Sequence, residues 1–345
     1  MTGIVRRLRD AIGVLVYDVM RYRRALARSG ARFRSDAAGW ISLRNRSERL
    51  LADPGLPGLR CDWIWGSNLH APGVLPGLGR KMMRASLAEW PIEFENKPRA
   101  PEGDVRISFI FAHGGKDRLP QLKRTIRSIF AQKEVAIEVV VIDQSPTPLL
   151  FELPMAVIYR HVVKPAGAPE WHKTWAYNIG ARVAKGSILV FHDGDVCVPT
   201  SYAREIVDTI EGRGFAAASL QRFLYYLDPS DTQRVEHVDS LGARLTPERV
   251  FQNWKGGTIA IKSDAFASIG GFDEGFDGWG GEDAEFYDRC AAVGHCRFGY
   301  LPFVHLWHPA QPSKSGAQRN QNMDFFQKKM LIPREQRIER LRQSR

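Results

Sequence analysis

From residue 105 onward the chain alternates short apolar runs with stretches of helical periodicity, and this alternation restricts its fold more than any other feature. Residues 105–111, 135–142 and 155–163 read as strands, rich in β-branched and aromatic side chains. Leu119, Leu122, Ile126, Ile129 and Phe130 recur at helical spacing between the first two, and residues 171–184 form a second helical stretch. The apolar run 188–191 follows as a short, fully buried strand. A strand–helix–strand order of this kind predicts a mainly parallel sheet with helices on its faces. Residues 215–227 and 258–261 look like further strands, with Ser263 capping a short helix that ends at Gly270. At 345 residues the chain can bury one large core, or one core and a smaller appendage.

Two motifs carry chemistry. His192-Asp193-Gly194-Asp195 stands where the strand 188–191 leaves the sheet. Ligands in open α/β sheets bind beyond the carboxyl ends of strands. Two carboxylates one residue apart are suited there to a hard divalent cation bridging to phosphate oxygens. Such pairs also occur on many surface turns, and the position after an apolar strand is what gives this one weight. The second motif is GGFDEGFDGWGGEDAEFYDR, residues 270–289, with six glycines and seven carboxylates around Trp279. Glycine clusters mark backbone that turns sharply or approaches a ligand closely. A helix is expected over 282–293, apolar at Phe286, Cys290 and Val293 and stopped at Gly294. Glu282 and Asp283 then sit at its N-terminus, where a carboxylate is both exposed and held still. Taken alone, the run also reads as a calcium loop or a capped helix with acidic decoration.

Together the two motifs resemble the metal-dependent glycosyltransferases of the GT-A fold, above all the β-1,4-galactosyltransferases and the bacterial family 2 enzymes with their GWGGED motif. The likeness covers residues 105–308, with FHDGDV at the DxD strand end, Asn178-Ile179-Gly180 on the helix before it, and Trp171-His172-Lys173 in the place of that family's Phe-Asn-Arg. It implies an α/β GT-A fold, a Rossmann-like nucleotide-sugar-binding sheet flanked by helices. That domain is expected over 101–312, after an N-terminal extension (1–100) made of a basic amphipathic helix and a Pro/Gly-rich wrap, and before a basic tail (313–345). The implied activity is inverting, metal-dependent transfer of a sugar from a nucleoside diphosphate, with UDP expected, to a hydroxyl of a glycan or lipid-linked glycan, in surface polysaccharide synthesis. A non-catalytic nucleotide-sugar- or glycan-binding protein on the same fold is the alternative.

The resemblance also implies roles for single residues. Asp195 binds the metal and Asp193 faces the sugar or ribose. His308, and His305 three residues before it, fall where the family supplies its last metal ligands. Carboxylate, imidazole and phosphate oxygens suit Mn²⁺ or Mg²⁺, with nitrogen favouring Mn²⁺. Lys173 would add positive charge at the leaving group, although lysine lacks the fork of an arginine. Asp283 matches the base that takes the acceptor proton, Glu282 would hold acceptor hydroxyls, and Asp277 is the next candidate base. Trp279 would lie against a sugar face, and residues 253–257 would wall the acceptor side. His113 and Asp143, at the ends of the first two strands, would meet the nucleotide. Asp143 is alternatively a residue that shapes the turn before Pro146. The first strand lacks GxGxxG, which disfavours NAD. HGGKDR departs from the galactosyltransferase base-binding sequence, so UDP-galactose, UDP-N-acetylgalactosamine and UDP-N-acetylglucosamine all remain open as donors.

The net charge of +11 is uneven. Residues 1–34 hold nine arginines against Asp10 and Asp18, and residues 318–345 hold eight Lys/Arg against three acids. The middle is near neutral, so these are two basic ends on a balanced enzyme, and nucleic acid is not an expected partner. Cys61, Cys197, Cys290 and Cys296 form no CxxC pair, which suggests a reducing compartment. The expected location is cytoplasmic, with peripheral contact on the cytoplasmic membrane face a further expectation. No stretch reaches the ~18–20 apolar residues that span a bilayer. Ile4, Leu8, Ile12, Leu15, Val19, Tyr22 and Leu26 recur at helical spacing among arginines. Two readings of that helix stand side by side: packed on the domain with a solvated arginine face, or lying in an anionic membrane surface.

Overall fold

A computed structural model describes residues 11–28, 39–62, 66–98, 103–163, 171–242, 244–252, 256–278, 280–309 and 317–344. Its strands, in chain order, begin with β1 (Leu50–Ala52), β2 (Leu59–Cys61), β3 (Ser67–Asn68), β4 (Ile107–His113), β5 (Ile137–Asp143), β6 (Val157–His161) and β7 (Ile188–His192). They continue with β8 (Val196–Cys197), β9 (Ala217–Ala218), β10 (Gln221–Tyr226), β11 (Arg249–Gln252), β12 (Thr258–Lys262), β13 (His295–Cys296) and β14 (Leu301–His305). The main helices are α1 (Val19–Ala27), α2 (Pro76–Glu89), α3 (Leu119–Phe130), α4 (Lys173–Val183), α5 (Glu282–Cys290), α6 (Ala317–Met330) and α7 (Arg334–Gln343).

The seven-stranded sheet has the order β13-β9-β12-β7-β4-β5-β6. β7, β4, β5 and β6 run parallel, and β12 enters antiparallel beside β7. Every residue of β5 and β7 is buried, as parallel strands covered on both faces must be. This is the expected α/β arrangement, with a mainly parallel centre. A five-stranded sheet, β3-β11-β10-β14-β8, lies beside it. Short β8 follows directly on the turn after β7 and pairs antiparallel with β14, so the turn 193–195 is held between the two sheets.

Four expectations need correction. Residues 215–227 are not one strand: β9 joins the large sheet and β10 the small one. The break comes where Leu220 O accepts from both Tyr300 N–H and Leu301 N–H, which turns the chain from one partner to the other. The Pro/Gly-rich wrap, expected as loop over residues 53–79, is not all loop. Pro76 opens α2, because a proline in the first turn needs no hydrogen-bond donor. Ser263 begins a short helix but makes no side-chain cap. The helix starting at Glu282 ends at Cys290 rather than Val293.

The N-terminal helix also presents a different face from the one its spacing predicts. Val14, Asp18, Tyr22 and Ala25 point inward, whereas Ile12 and Leu15 are exposed. The cause is a π-helical turn over Val14–Asp18, which widens the spacing and rotates the inward stripe. Ile4 and Leu8 lie outside the described residues. Val14, Tyr22, Trp40, Met82 and Phe94 share one hydrophobic cluster with Phe109, Val139 and Phe223 of the two sheets.

A buried charge network fixes the C-terminal helix α7 to α5. Arg289 donates to Glu285 (2.7 Å) and to the carbonyls of Ile269 and Gly271, while Arg337 of α7 reaches Glu285 (2.5 Å) and Asp288. Arg289, Glu285 and Arg337 are almost fully buried. Removing one partner of such a network leaves charge and carbonyls uncompensated, at about 3–5 kcal/mol. Arg289→Met is therefore expected to lower the stability measured by urea unfolding by about that amount. The exposed Arg340→Met should change it by less than about 0.5 kcal/mol.

Candidate active site

A cavity of about 300 Å³ opens beyond the carboxyl ends of β4 and β7, where the two motifs meet. Its wall includes His113, Arg118, Lys173, Tyr177, Asp193, Asp195, Glu282, Asp283 and His305. The two aspartates of the first motif face different ways. Asp193 receives a hydrogen bond from Tyr177 OH (3.3 Å) and lies 3.0 Å from Lys173 Nζ. Asp195 is turned to the opposite side, 3.0 Å from His308 Nε2, 3.6 Å from His305 Nε2 and 3.4 Å from Arg118 Nη1. The β8–β14 pairing places His305 directly opposite Val196, and Leu306 N–H donates to Asp195 O at 2.8 Å. Sheet register, rather than chance, therefore brings the histidines to the aspartate.

Asp195, His305 and His308 form a cluster able to hold a metal ion, their ligand atoms lying within 4.8 Å of one another. The chemistry of the donors fits. His308 Nδ1 faces Pro309 O at 2.8 Å, which directs the Nε2 lone pair toward the carboxylate. A lone pair and a carboxylate at 3.0 Å require a proton or a cation between them. His305 is stacked on Tyr226, with ring centroids 4.1 Å apart, so its ring plane is fixed. Against the cost of burial, His305, His308 and Arg118 hold the Asp195 carboxyl well below the usual range.

Lys173 opens α4 and is the hub of the other half. Beyond Asp193, its Nζ lies 3.2 and 3.4 Å from the two Asp283 oxygens and 3.6 Å from Glu282. Burial works against its charge, but Asp193, Asp283 and Glu282 outweigh it and raise its pKa well above the ordinary value. Asp283 shows the opposite balance. Burial lifts its carboxyl most, Lys173 opposes, Glu282 and Asp193 add to the rise, and the result is a pKa of about 7. Glu282 is buried, with Oε2 accepting from Gly280 N–H at 2.9 Å. One of its oxygens is thus spent on the glycine loop.

Helix α4 also carries the loop that leads to these acids. Asn178 Nδ2 donates to Phe272 O (2.9 Å) and to Glu274 (2.8 Å), and Asn178 Oδ1 accepts from Phe272 N–H. Thr174 Oγ1 donates to Phe276 O. Gly180 on the same helix lies against Ile110, where an added Cβ would come within 2.3 Å of a side-chain methyl.

Two expected positions differ. Asp143 does not line the cavity. It is fully buried and its oxygens accept from Ser145 N–H, Ser145 Oγ, Leu149 N–H and Tyr159 OH, so the carboxylate shapes the turn instead. The neighbouring Gln144 brackets the backbone of His172 with two 3.1 Å bonds and so places Lys173. Asp277 is not among the residues that line the cavity, and its carbonyl accepts from Asn322 Nδ2 (2.5 Å). His113 does line the cavity, and burial lowers its pKa. Trp279 and residues 253–255 lie outside the described residues. Gly256 and Gly257 line the cavity, and Gly257 O accepts from Asp193 N–H at 2.7 Å.

Sequence reasoning gave no role to Arg118, Tyr177, Tyr226 or Met323. Tyr177 had a signal, because it follows Lys173 by four residues on one helix face. Met323 had none, lying beyond the expected domain end and reaching the cavity only through α6.

No curated protein matches the chain. Among solved structures, it is similar to the mannosyltransferase PcManGT from Pyrobaculum calidifontis in complex with GDP-Man and Mn²⁺. That likeness has 17% identity and a TM-score of 0.41 over 69% of this chain, which spans 66% of that one. Residues 116–270 match the family described as glycosyl transferase family 2, and residues 237–304 match the one described as the N-terminal domain of galactosyltransferase. The matches overlap and run without a gap through both motifs and the strand ends that carry the acids: the chain carries a family 2 glycosyltransferase domain.

Proposed function

We propose that the chain is an inverting, metal-dependent glycosyltransferase. It moves a sugar from a nucleoside diphosphate, with UDP the expected carrier, to a hydroxyl of a glycan or lipid-linked glycan in surface polysaccharide synthesis. One observation carries this reading. A single cavity holds two acidic centres in opposite electrostatic surroundings, Asp195 against imidazoles and a guanidinium, Asp283 against a lysine and further carboxylates. Departure of a diphosphate requires the first kind of centre, and activation of a hydroxyl requires the second.

Asp195, His305 and His308 would hold Mn²⁺ or Mg²⁺, the two imidazoles favouring Mn²⁺. When bound, such an ion supplies Lewis-acid stabilisation of the leaving diphosphate. Arg118 adds fixed positive charge at the same end of the cavity, and His113 borders the nucleotide side. Asp193, positioned by Lys173 and Tyr177, faces the donor sugar. On the other side Asp283 accepts the proton of the attacking hydroxyl, and Lys173 orients its carboxylate. Glu282 holds the glycine loop and turns its remaining oxygen toward Lys173 and the acceptor. One base opposite one leaving group gives a single displacement, which inverts the anomeric centre. Four buried cysteines, none of them in a disulfide, support placing this activity in a reducing, cytoplasmic setting.

Asp195→Ala should abolish Mn²⁺-dependent binding of UDP in calorimetry while the far-ultraviolet dichroism and melting point stay near those of the parent. Unchanged UDP affinity would remove the metal assignment.

Asp283→Asn keeps the size of the side chain but cannot accept a proton. Donor binding should hold while transfer falls ~10²–10⁴-fold. A collapse of donor binding would instead make Asp283 a structural residue.

The pKa of about 7 fixes the direction of the pH profile. Asp283 works as a base only when ionised, so transfer should rise about tenfold per pH unit below the pKa and level off above it. A rate that falls as pH rises from 6 to 8, or a rise that survives Asp283→Asn, would place the base elsewhere.

A further inference from the structure

We propose that the outward face of the N-terminal helix is a docking surface for an anionic lipid bilayer. The helix is anchored to the body by its inner face. Tyr22 is fully buried, and Arg21 both pairs with Asp18 (2.6 Å) and donates to Arg44 O (2.5 Å). Its outer face is apolar for two turns. Ile12, Leu15, Val16, Tyr17 and Met20 are 62, 58, 61, 63 and 52% exposed. Single exposed apolar side chains are ordinary, but five at helical spacing on one short segment form a contiguous patch. The same face continues into exposed Arg23, Arg24 and Arg28. The only acid among the described residues of this helix, Asp18, is turned inward and neutralised by Arg21.

The occupant must accept both halves of this surface. An apolar protein partner would cover the first half and leave the arginines unpaired. A second copy meeting it about a two-fold axis would set arginine against arginine or against the apolar half, and neither arrangement pairs the charge. A bilayer with anionic headgroups offers hydrocarbon beneath a negative layer and satisfies both. Among the described residues no helix is long and apolar enough to cross a membrane, so the contact is peripheral. The packed and membrane-lying readings of this helix are therefore compatible, because they use opposite faces.

The test uses the full chain and vesicles of phosphatidylcholine with or without phosphatidylglycerol. The parent should sediment with the anionic vesicles at low salt, be released at high salt, and ignore the neutral ones. Val16→Asp with Met20→Asp should lower vesicle partition at least about tenfold, and Arg23→Glu with Arg24→Glu should do the same. All four side chains are exposed, so melting points should not change. If the aspartate pair does lower the melting point, the glutamate pair carries the test alone. Parent protein that stays in the supernatant, or variants that sediment like the parent, would overturn the proposal. So would a dimer in sedimentation equilibrium that Val16→Asp/Met20→Asp dissolves, which would give the face to a second copy. The readout needs no turnover, so it fails or succeeds independently of the glycosyltransferase reading.

Discussion

Lys173 is the cation on which Asp193, Glu282 and Asp283 all depend. Three carboxylates, from the turn after β7 and from the start of α5, converge on one ammonium group inside a partly enclosed cavity. Without it, burial and mutual repulsion would drive these acids to take up protons or to separate. Its position is set by Gln144, which pins the backbone just before α4. The same helix then holds the approach to the acids through Thr174 and Asn178. A shift of α4 would therefore disturb Asp193, Glu282 and Asp283 together.

The split between Asp193 and Asp195 follows from backbone geometry more than from the side chains themselves. Asp193 N–H is tied to Gly257 beside β12 of the large sheet, and Asp195 O to Leu306 beyond β14 of the small one. Consecutive ties to different sheets turn the two carboxylates apart across Gly194. One meets a lysine shared with Glu282 and Asp283, and the other meets imidazoles and a guanidinium. Two acids of the same type thus stand in different electrostatic surroundings within one cavity.

Much of this was legible in the sequence where the signal is local. Strand and helix periods gave the parallel centre of the sheet, because those strands are buried on both faces and read as unbroken apolar runs. The strand end and the glycine–acid run were visible because both need residue types that a plain core does not use. What stayed hidden depends on distant partners. Asp143 looks the same in sequence whether it meets a ligand or is saturated by Ser145, Leu149 and Tyr159, and only the packing of β6 beside β5 decides. The split of residues 215–227 between two sheets depends on the segment 296–301, some eighty residues away. The π turn at Val14–Asp18 rotates an inward stripe that a regular helical period would have kept straight.

The C-terminal helices show how far a site can extend beyond its motif. Gly281, the residue before α5, has φ +88°, and a Cβ there would lie 2.8 Å from Phe326 Cβ and 3.1 Å from the Phe276 ring. Glycine is required on both counts, conformation and space. The crowding comes from α6, which also supplies Asn322 to the carbonyl of Asp277 and Met323 to the cavity wall. One turn further along α5, Glu285 and Asp288 are held by Arg337 of α7. Helix α5 is thus gripped at its start by packing from α6 and at its middle by buried charge from α7, both outside the two family matches. The motif supplies the acids, and the C-terminal segment limits where they can move. Since a displacement of about 1 Å in a reacting group can cost ~10²-fold in rate, that restraint belongs to the chemistry as much as to the stability of the fold.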